Sequence, residues 1–510
     1  MLSRKLRIGK RAAPRFATPP WDREHPRWQE LDQALPENHV AREVVAALED
    51  FDATELQACY SASGSPATDP VLMLRIVLIE LRRGRFRPSH WYQDTQENDA
   101  LKWAGFGICP GRTAWYTFHD RIGPFLELWN RRVVEQSLAE QVTFGSRASL
   151  DGSTVEANAS RHRLVNQATL TRRQEELNAA CAADERGEPV ATVPAWMART
   201  PQTRGQQKHR YEQAQERLEQ LQAVNQRQDP CRRRDPKKIV VSVSDPQAAL
   251  GRDKFHVFRP LYNTQLVRDV GSPFILAYEV FAQPNDGGTL KPMLAKLASI
   301  EGLELKDLLV DAGYVTASNL ALAEQGGITM YGPWQENDYS SARPPKPGAK
   351  PKLLAKDQFT WNAERQIYIC PEGHPLSWIG QDKRIQADGE VNIMHSYRCE
   401  ARHCSACPLS ARCTTNPKRG RSVKRSEHET LVESHRARMA MDEAKAIYKL
   451  RKQTVELGFA DVKQHRALRR FPRRGLNHAR THVGLTVLVH NLLVRHQAFD
   501  DQAVALNAAA

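Results

Sequence analysis

Three carboxylates occupy positions from which they could bind divalent metal ions together. Asp311 ends the apolar run at 308–310, and Asp151 lies in the strand-like segment SLDGST. If these two strands are neighbours in one sheet, both side chains point into the same crevice. Oxygen ligands suit Mg²⁺ or Mn²⁺, and two such ions about 3.5–4 Å apart promote in-line phosphoryl transfer. The alternative for Asp311 alone is a turn or helix-capping residue, which is common at strand ends.

The third carboxylate is Glu456, which lies on a long helical pattern at residues 434–470. An apolar stripe at helical spacing runs along this pattern: Val455, Phe459 and Val462. Glu456 borders the stripe at about 100° from Val455, and Lys452 and Lys463 lie on its own line. A carboxylate between two cations beside a packed face suits a site for metal and phosphate. The alternative is an ordinary surface Glu–Lys pair.

The cysteines indicate a second metal site of a different kind. Four of them fall within the segment YRCEARHCSACPLSARC: Cys399, Cys404, Cys407 and Cys413. Four thiolates can hold a structural zinc ion in tetrahedral geometry. Cys370 or His374, in YICPEGHPL, could replace one of these ligands. The alternative is a set of reduced cysteines buried in a small β-rich segment.

Basic residues are concentrated in short runs that could contact DNA phosphates. One run adjoins the helical pattern of Glu456 and contains Arg469, Arg470, Arg473 and Arg474. Another follows an apolar helical pattern near the N-terminus and contains Arg82, Arg83, Arg85 and Arg87. Such runs are also common on solvated surfaces. His478 and His482 lack the adjacent glutamate of a zinc-protease helix, so we interpret them as helix-face or DNA-backbone residues.

Bulk composition favours a polyanionic partner and excludes several classes of protein. The 510-residue chain carries a formal charge of +14, which favours nucleic acid over other ligands. No apolar run approaches the roughly 20 residues that span a bilayer. The basic N-terminus lacks the apolar core of a signal peptide. The nine cysteines are therefore expected to be thiols or metal ligands of a cytoplasmic, nucleoid-associated protein.

The order of helical and strand patterns predicts an α/β protein that is preceded by an all-α domain. Early strands without intervening helices favour antiparallel pairing, and the later alternation favours parallel crossovers. Strands are expected at 238–245, 255–267 and 273–283. The predicted segments are a basic arm (1–35), a helical DNA-binding domain (36–145), the first part of a catalytic domain (146–330) with a helical insertion at about 160–235, a cysteine-containing insertion (331–430) and the last part of the catalytic domain (431–500).

These motifs, in this order, resemble bacterial insertion-sequence transposases of the DDE type. The resemblance runs over most of residues 40–495 and is closest to the large group with a helical N-terminal domain and a cysteine-containing insertion. The family's acidic motifs match at Asp151 and at Asp311, Gly313 and Tyr314, and YNTQLV is similar to a segment between two of its strands. Its tyrosine–arginine–glutamate–lysine signature matches at Tyr448, Arg451, Glu456 and Lys463. The gap between arginine and glutamate is one residue longer here than in the best-known form.

The resemblance implies an RNase H-like mixed sheet with helices on both faces. It also implies cleavage of DNA at element ends and transfer of the 3′-OH to target DNA. Asp151, Asp311 and Glu456 would bind Mg²⁺ or Mn²⁺, while Tyr448, Arg451 and Lys463 would contact phosphate. The helical domain would bind double-stranded DNA at terminal inverted repeats, and a homo-oligomer is expected on that DNA.

Two other functions are compatible with the same residues. One is a zinc-stabilised DNA-binding protein that derives from a transposase and has no catalytic activity. The other is a metal-dependent nuclease of the same fold that never joins strands. Inverted repeats and a short direct duplication around the gene would decide in favour of transposition.

Overall fold

The computed structural model describes residues 13–190, 192–228, 230–253, 255–334, 353–385, 391–460 and 468–509. At 455–460 and 499–509 it describes the backbone alone. An N-terminal helical region is followed by a mixed sheet, and two further segments interrupt the chain between elements of that sheet and its helices.

The helical region packs around α4, whose side chains are almost all buried. Asp69 caps this helix by accepting a hydrogen bond from the Val71 amide at 2.8 Å, and Pro70 occupies its first position. The first helix begins before the predicted boundary at residue 36, and its Leu31 joins the core. The helices are α1 (Pro26–Ala34), α2 (Val40–Ala47), α3 (Thr54–Ala58), α4 (Pro70–Arg82), α5 (Pro88–Glu97), α6 (Asp99–Ala104), α7 (Arg112–Ile122) and α8 (Leu126–Ala139).

The main sheet combines antiparallel and parallel strands, as the patterns predicted. Its elements and the first insertion follow along the chain as β1 (Arg147–Glu156), β2 (Leu164–Val165), α9 (Gln167–Glu185), α10 (Pro201–Arg227), β3 (Val241–Ser242), β4 (Ala249–Arg252), β5 (Phe258–Asp269), β6 (Ile275–Phe281), α11 (Leu290–Ala298), β7 (Asp307–Leu309), α12 (Ala317–Gln325) and β8 (Thr329–Tyr331). The strand order is β4-β5-β1-β7-β8, and β6 also pairs with β5. β5 is antiparallel to β1 and β6, whereas β7 is parallel to β1 and β8.

The strand expected at 238–245 is the one clear departure in this part of the chain. Only Val241–Ser242 is extended there, and it pairs with β2 in a separate two-stranded sheet. That small sheet belongs to the helical insertion, where Val165 and Val241 join the core between α9 and α10. The alternating pattern predicted a strand correctly but could not show which strand it would pair with.

The cysteine-containing segment forms its own antiparallel sheet with a small core. Its elements are β9 (Thr360–Asn362), β10 (Ile367–Ile369), β11 (Pro375–Ile385), β12 (Val391–Cys399), α13 (Ala401–Ser405), α14 (Ser410–Cys413) and β13 (Ser422–Ser426). The strand order is β13-β12-β11-β10-β9. Phe359, Tyr368 and Tyr397 pack in its core beside three buried cysteines.

The C-terminal helices are α15 (Glu429–Ala440), α16 (Asp442–Ala460) and α17 (Leu476–Ala509). A single helix was predicted over 434–470, but the chain is extended at Met441 and a new helix begins at Asp442. α17 joins two cores, because Leu488 and Leu492 pack in the helical region while Val483 and Val487 pack against the sheet. No helix in the described ranges is long and apolar enough to cross a membrane.

A buried carboxyl group in α4 makes the helical region sensitive to pH. Glu80 is fully buried, and this burial raises its pKa to about 8 although Arg83 opposes the shift. Arg83 donates to Oε1 at 2.7 Å, while Oε2 has no hydrogen-bond partner among the described residues. The folded state therefore holds the Glu80 proton more tightly than the unfolded chain, whose glutamates titrate near about 4.3.

We predict that Glu80→Gln stabilises the protein at pH 8 and flattens the pH dependence of unfolding. The contribution of protonated Glu80 is complete below about pH 4 and is lost as the pH rises toward 8. Thermal unfolding followed by tryptophan fluorescence at pH 5 and pH 8 measures this, because several tryptophans lie in this core. A variant that is less stable than wild type at pH 8 would contradict the prediction.

Candidate active site and cysteine cluster

Parallel pairing of β1 with β7 brings Asp151 and Asp311 to the same end of the sheet. The register pairs Ala148 with Leu308 and Ser149 with Leu309. Each aspartate lies two residues beyond the Ser149–Leu309 pair, Asp151 within β1 and Asp311 just after the end of β7. Because side chains alternate along a strand, this equal step places both carboxylates on one face. The expectation that these two strands are neighbours is confirmed.

The Asp151 carboxylate is held in a site that leaves its negative charge poorly compensated. Its Oδ1 accepts a hydrogen bond from the Gly152 amide at 2.9 Å and lies 3.2 Å from a guanidinium nitrogen of Arg451. Burial raises the pKa of Asp151 to about 6, and the charges of Asp311 and Asp286 add to the rise. Arg451 and the Gly152 amide act in the opposite direction. A divalent cation would relieve both the desolvation and the repulsion.

Asp311 sits in a tight turn at the end of its strand. The Gly313 amide donates to its Oδ1 at 2.7 Å, and Tyr314, the next residue along, is fully buried. The turn interaction considered as the alternative for Asp311 is therefore present. This hydrogen bond uses Oδ1 and leaves Oδ2 available to a metal ion. Asp311 can therefore be both a turn residue and a metal ligand.

Helix α16 brings the tyrosine and the arginine of the predicted signature to the two aspartates. Arg451 reaches Asp151, and α16 is held against β5 by Arg268, which donates to the Thr454 carbonyl at 2.9 Å. Burial raises the pKa of Tyr448, the charges of Asp311 and Asp151 raise it further, and Arg451 lowers it. Tyr448 therefore lies within electrostatic reach of both carboxylates.

The remaining signature residues are described only in part. Glu456 lies within α16, and its side chain is outside the described part of the structure. Lys463 and Val462 lie wholly outside the described residues. Their roles remain predictions.

The basic run at 469–474 lies beside the far end of β1. The Glu156 amide donates to the Arg469 carbonyl at 3.2 Å, and the Phe471 amide donates to the Glu156 carbonyl at 2.9 Å. Two arginines contact Asn158, which lies just beyond β1. Arg470 donates to Asn158 Oδ1 at 3.4 Å, and Arg474 donates to the Asn158 carbonyl at 3.1 Å. Arg469, Arg470 and Arg474 are exposed.

Arg473 has a different environment, at a junction between α7 and α17. It forms an ion pair with Asp120 and donates to His119 Nδ1 at 2.8 Å, while His478 Nε2 lies 3.0 Å from Asp120 Oδ1. Among the described residues, His119, Asp120 and His478 form the one set of three potential ligands within 4.8 Å of each other. The Arg473 guanidinium already supplies the positive charge there, so we assign no metal to this set.

The surroundings of His482 and of the N-terminal basic run change the prediction that these residues contact DNA. His482 is buried between Phe86 and Phe471, and burial lowers its pKa to about 3, so it is a neutral core residue and does not contact DNA. In the N-terminal basic run, Arg83 pairs with Glu80 and Arg85 binds Asp94 through two nitrogens. Arg82 and Arg87 are exposed.

The cysteines of the second sheet surround a small cavity of about 20 Å³. Its wall includes all four predicted ligands, Cys399, Cys404, Cys407 and Cys413, together with Cys370, His374 and His403. Backbone amides point at two of the sulfur atoms: His374 donates to Cys370 Sγ and Arg421 donates to Cys404 Sγ, both at 3.3 Å. Burial and the neighbouring Cys404 raise the pKa of Cys399 to about 12, so this thiol is protonated without a metal.

Residues 369–495 match the model of a transposase DDE domain, and residues 29–108 match that of a transposase domain, DUF772. These two matches support an insertion-sequence transposase of the DDE type, which is the family that the motifs resemble. No curated protein matches the sequence.

The two matches cover different parts of the chain. The first runs from β10 through the cysteines and Arg451 into α17, and the second covers most of the helical region. Asp151 and Asp311 lie outside both matches. The evidence that they form a site is therefore the pairing of β1 with β7 and the contact between Arg451 and Asp151. Sequence reasoning missed Asp286, which follows β6 in the turn-like stretch PNDGG.

We predict that Mn²⁺ binds at Asp151 and Asp311, and that Asp151→Asn weakens this binding by at least about tenfold because it removes a charged ligand. Electron paramagnetic resonance of free Mn²⁺ measures the affinity. Asp442→Asn is the matched control, because Asp442 is exposed at the start of α16 and, within the described ranges, Lys445 is its only ion-pair partner. Equal affinities in wild type and Asp151→Asn would exclude Asp151 as a ligand.

Proposed function

We propose that this protein cuts DNA at the ends of an insertion sequence and transfers the freed 3′-OH to target DNA. The observation that carries the proposal is the pairing of β1 with β7, which places Asp151 and Asp311 on one face beside Arg451 and Tyr448. A surface carboxylate pair would not need a half-buried arginine and tyrosine from a helix that is distant in the sequence. Transposases of this type require such a site, and membership of the family makes DNA the expected substrate.

The topology supports an RNase H-like fold. Strands β6, β5 and β1 are consecutive antiparallel neighbours, and β7 and β8 continue on the other side of β1 in parallel. Helices α11 and α12 form the crossovers to β7 and β8. The helical insertion and the cysteine-containing segment are then additions to this sheet, placed after β1 and after β8.

The spacing of Glu456 and Lys463, which matches the glutamate–x₆–lysine pattern of the family, supports Glu456 as the third carboxylate. Seen along a regular α-helix, Glu456 lies about 80° from Tyr448 and about 140° from Arg451. Arg451 contacts Asp151, so Glu456 would approach the site from the other edge of α16, on the side of Tyr448. The longer gap between arginine and glutamate is compatible with this arrangement.

Each step of the proposed reaction is an in-line displacement at phosphorus. In the first, a water oxygen attacks the phosphate at the element end and the 3′ oxygen leaves; in the second, that 3′-OH attacks a target phosphate. Bound divalent ions would activate the attacking oxygen and stabilise the leaving oxygen. Asp151, Asp311 and Glu456 would hold these ions, while Arg451, Tyr448 and Lys463 would contact the phosphate oxygens.

We assign the remaining basic residues to binding of double-stranded DNA. Exposed Arg469, Arg470 and Arg474 lie at one end of β1, and exposed Arg82 and Arg87 lie on the helical region that would bind the terminal inverted repeats. Arg473 would instead orient this segment through Asp120. Each element has two ends, so we expect a homo-oligomer on DNA, acting in the cytoplasm at the nucleoid.

The test is metal-dependent cleavage of DNA that carries the element's own ends. We predict that Glu456→Gln lowers the cleavage rate by about 10³-fold or more while end binding persists, because an inner ligand is lost. Glu443→Gln is the control, since Glu443 lies in the first turn of the same helix, roughly 20 Å away along its axis. Denaturing gels follow cleavage, and gel shifts follow binding.

The outcomes separate the proposed function from its rivals. Wild-type protein that binds the ends but cuts none of them in Mg²⁺ or Mn²⁺ would favour a DNA-binding protein without catalytic activity. Cleavage without any joined product would favour a nuclease. Loss of cleavage in Glu443→Gln, with Glu456→Gln unaffected, would show that another turn of α16 carries the ligand.

We also propose that the cysteine cluster holds one structural zinc ion. Four thiolates from separate short elements converge on one cavity in a segment whose own core is small, which suits a zinc-ordered fold. Among the described residues, no three cysteine sulfur atoms lie within 4.8 Å of each other. Binding would therefore draw them closer, to the spacing of about 3.8 Å that Zn–S bonds of about 2.3 Å require.

We predict about one zinc ion per chain in protein purified without chelator, and its loss in Cys404→Ser. Cys109→Ser is the control, because Cys109 is an exposed thiol in the helical region. Elemental analysis gives the zinc content, and a parallel measurement on Cys370→Ser tests whether that residue is a ligand. Folded wild-type protein without zinc would contradict the proposal.

A further inference from the structure

A buried polar network lies directly behind the strand that carries Asp151. The Tyr314 hydroxyl donates a hydrogen bond to Gln265 Oε1. The Gln265 amide donates to Asp286 Oδ1 at 2.7 Å and to Asn263 Oδ1 at 3.0 Å. Asn263 in turn donates to Asp286 Oδ1 at 2.9 Å. The network therefore connects β5, the loop after β6 and the turn that follows Asp311.

The members of this network are among the least accessible polar residues of the sheet. Tyr314 and Gln265 have no exposed surface, and Asn263 has 1%. Asp286 is partly buried, and among the described residues its carboxylate accepts hydrogen bonds from the Asn263 and Gln265 amides and has no ion-pair partner. Its charge raises the pKa of both Tyr314 and Asp151. A carboxylate kept in this position without a cation implies a specific role.

Gly152 shows how closely the network approaches β1. A Cβ atom at this position would lie 2.2 Å from Asp286 Oδ1 and 2.2 Å from Gln265 Nε2. The space that a side chain would occupy is therefore filled by the network. Since neighbouring residues of a strand face opposite ways, Asp151 points to α16 while Gly152 faces these polar groups.

We infer that Asp286 is a positioning residue, which fixes the two aspartates relative to one another through Gln265 and Tyr314. This inference rests on the proposed function. Asp286 accepts from Gln265 Nε2 and so orients the amide, whose Oε1 then faces the Tyr314 hydroxyl. Tyr314 follows Asp311 by three residues, and its hydroxyl bond to β5 sets the Asp311 turn against β1. The glutamine and asparagine of YNTQLV thereby acquire a physical role.

The inference predicts a specific pattern of metal dependence. Asp286→Ala should weaken Mn²⁺ binding and lower the cleavage rate by at least about tenfold each, and should raise the Mg²⁺ concentration needed for half-maximal cleavage. Asp286→Asn keeps an oxygen that can accept both amide bonds, so it should recover much of the loss. Tyr314→Phe should behave like Asp286→Ala. The double variant Asp286→Ala/Tyr314→Phe should lose no more cleavage rate or Mn²⁺ affinity than the more impaired single variant, because the two residues act in series.

Asp253→Ala is the matched control. Asp253 is another aspartate of the same sheet, in the β4–β5 turn, where it pairs with Arg259 and accepts from the Phe255 and Val257 amides. Its removal should leave Mn²⁺ affinity and Mg²⁺ dependence unchanged. Thermal unfolding of each variant shows whether it is folded, and if Asp286→Ala is not, Tyr314→Phe and Asp286→Asn carry the test.

The results separate this inference from the proposed function. If wild type cleaves DNA and the Asp286 and Tyr314 variants match it in rate, Mn²⁺ affinity and Mg²⁺ dependence, the inference is overturned and the proposed function stands. A lower rate with unchanged metal dependence would also overturn it, since that indicates a general structural effect. If wild type shows no metal-dependent cleavage, the proposed function fails, and the Mn²⁺ measurements still decide whether Asp286 supports the site.

Discussion

The hydrogen-bond ladder between β1 and β7 is the contact on which the site depends. Asp151, within β1, and Asp311, just after β7, each lie two residues beyond the Ser149–Leu309 pair, so the register of the two strands fixes the relative position of the two carboxylates. A slip of one residue would turn one aspartate to the opposite face of the sheet. Ladder bonds alone set register weakly in a strand as short as β7, which has three residues. Buried Leu308 and Leu309, and the Tyr314 contact to β5, supply the additional constraint.

The two insertions leave this register undisturbed because each has a core of its own. Leu170, Tyr211 and Leu218 pack between α9 and α10, and the second sheet encloses its own aromatic residues and cysteines. Polar contacts join both insertions to the rest of the protein. Arg217 donates to the Ala282 carbonyl, and Arg425 pairs with Glu433 on α15. A chain can therefore carry long additions at these points at little cost to the central sheet.

The sequence allowed the main sheet and its two aspartates to be predicted because local patterns determine them. Apolar strands that end on a polar residue, and helices with clear caps, are visible without any partner. The break at Met441 was missed because helical periodicity continues across it, although Asp442 and Glu443 are typical of a new helix start. The environments of Arg473 and His482 could not be predicted, since the groups around them lie hundreds of residues away along the chain. Asp286 was missed because the sequence does not show that the loop after β6 folds back onto Asn263 and Gln265 of β5.

Helix α17 is synthesised after the elements whose cores it joins, and two cores are incomplete without it. Its leucines fill the helical region, its valines cover the sheet, and Asn491 pairs with both backbone groups of Ile275. Domains usually fold in the order in which they are synthesised. Here the core of the N-terminal region is completed only after α17 leaves the ribosome. Premature termination anywhere before residue 476 would consequently leave two unfinished hydrophobic surfaces on one product, which quality-control proteases would recognise.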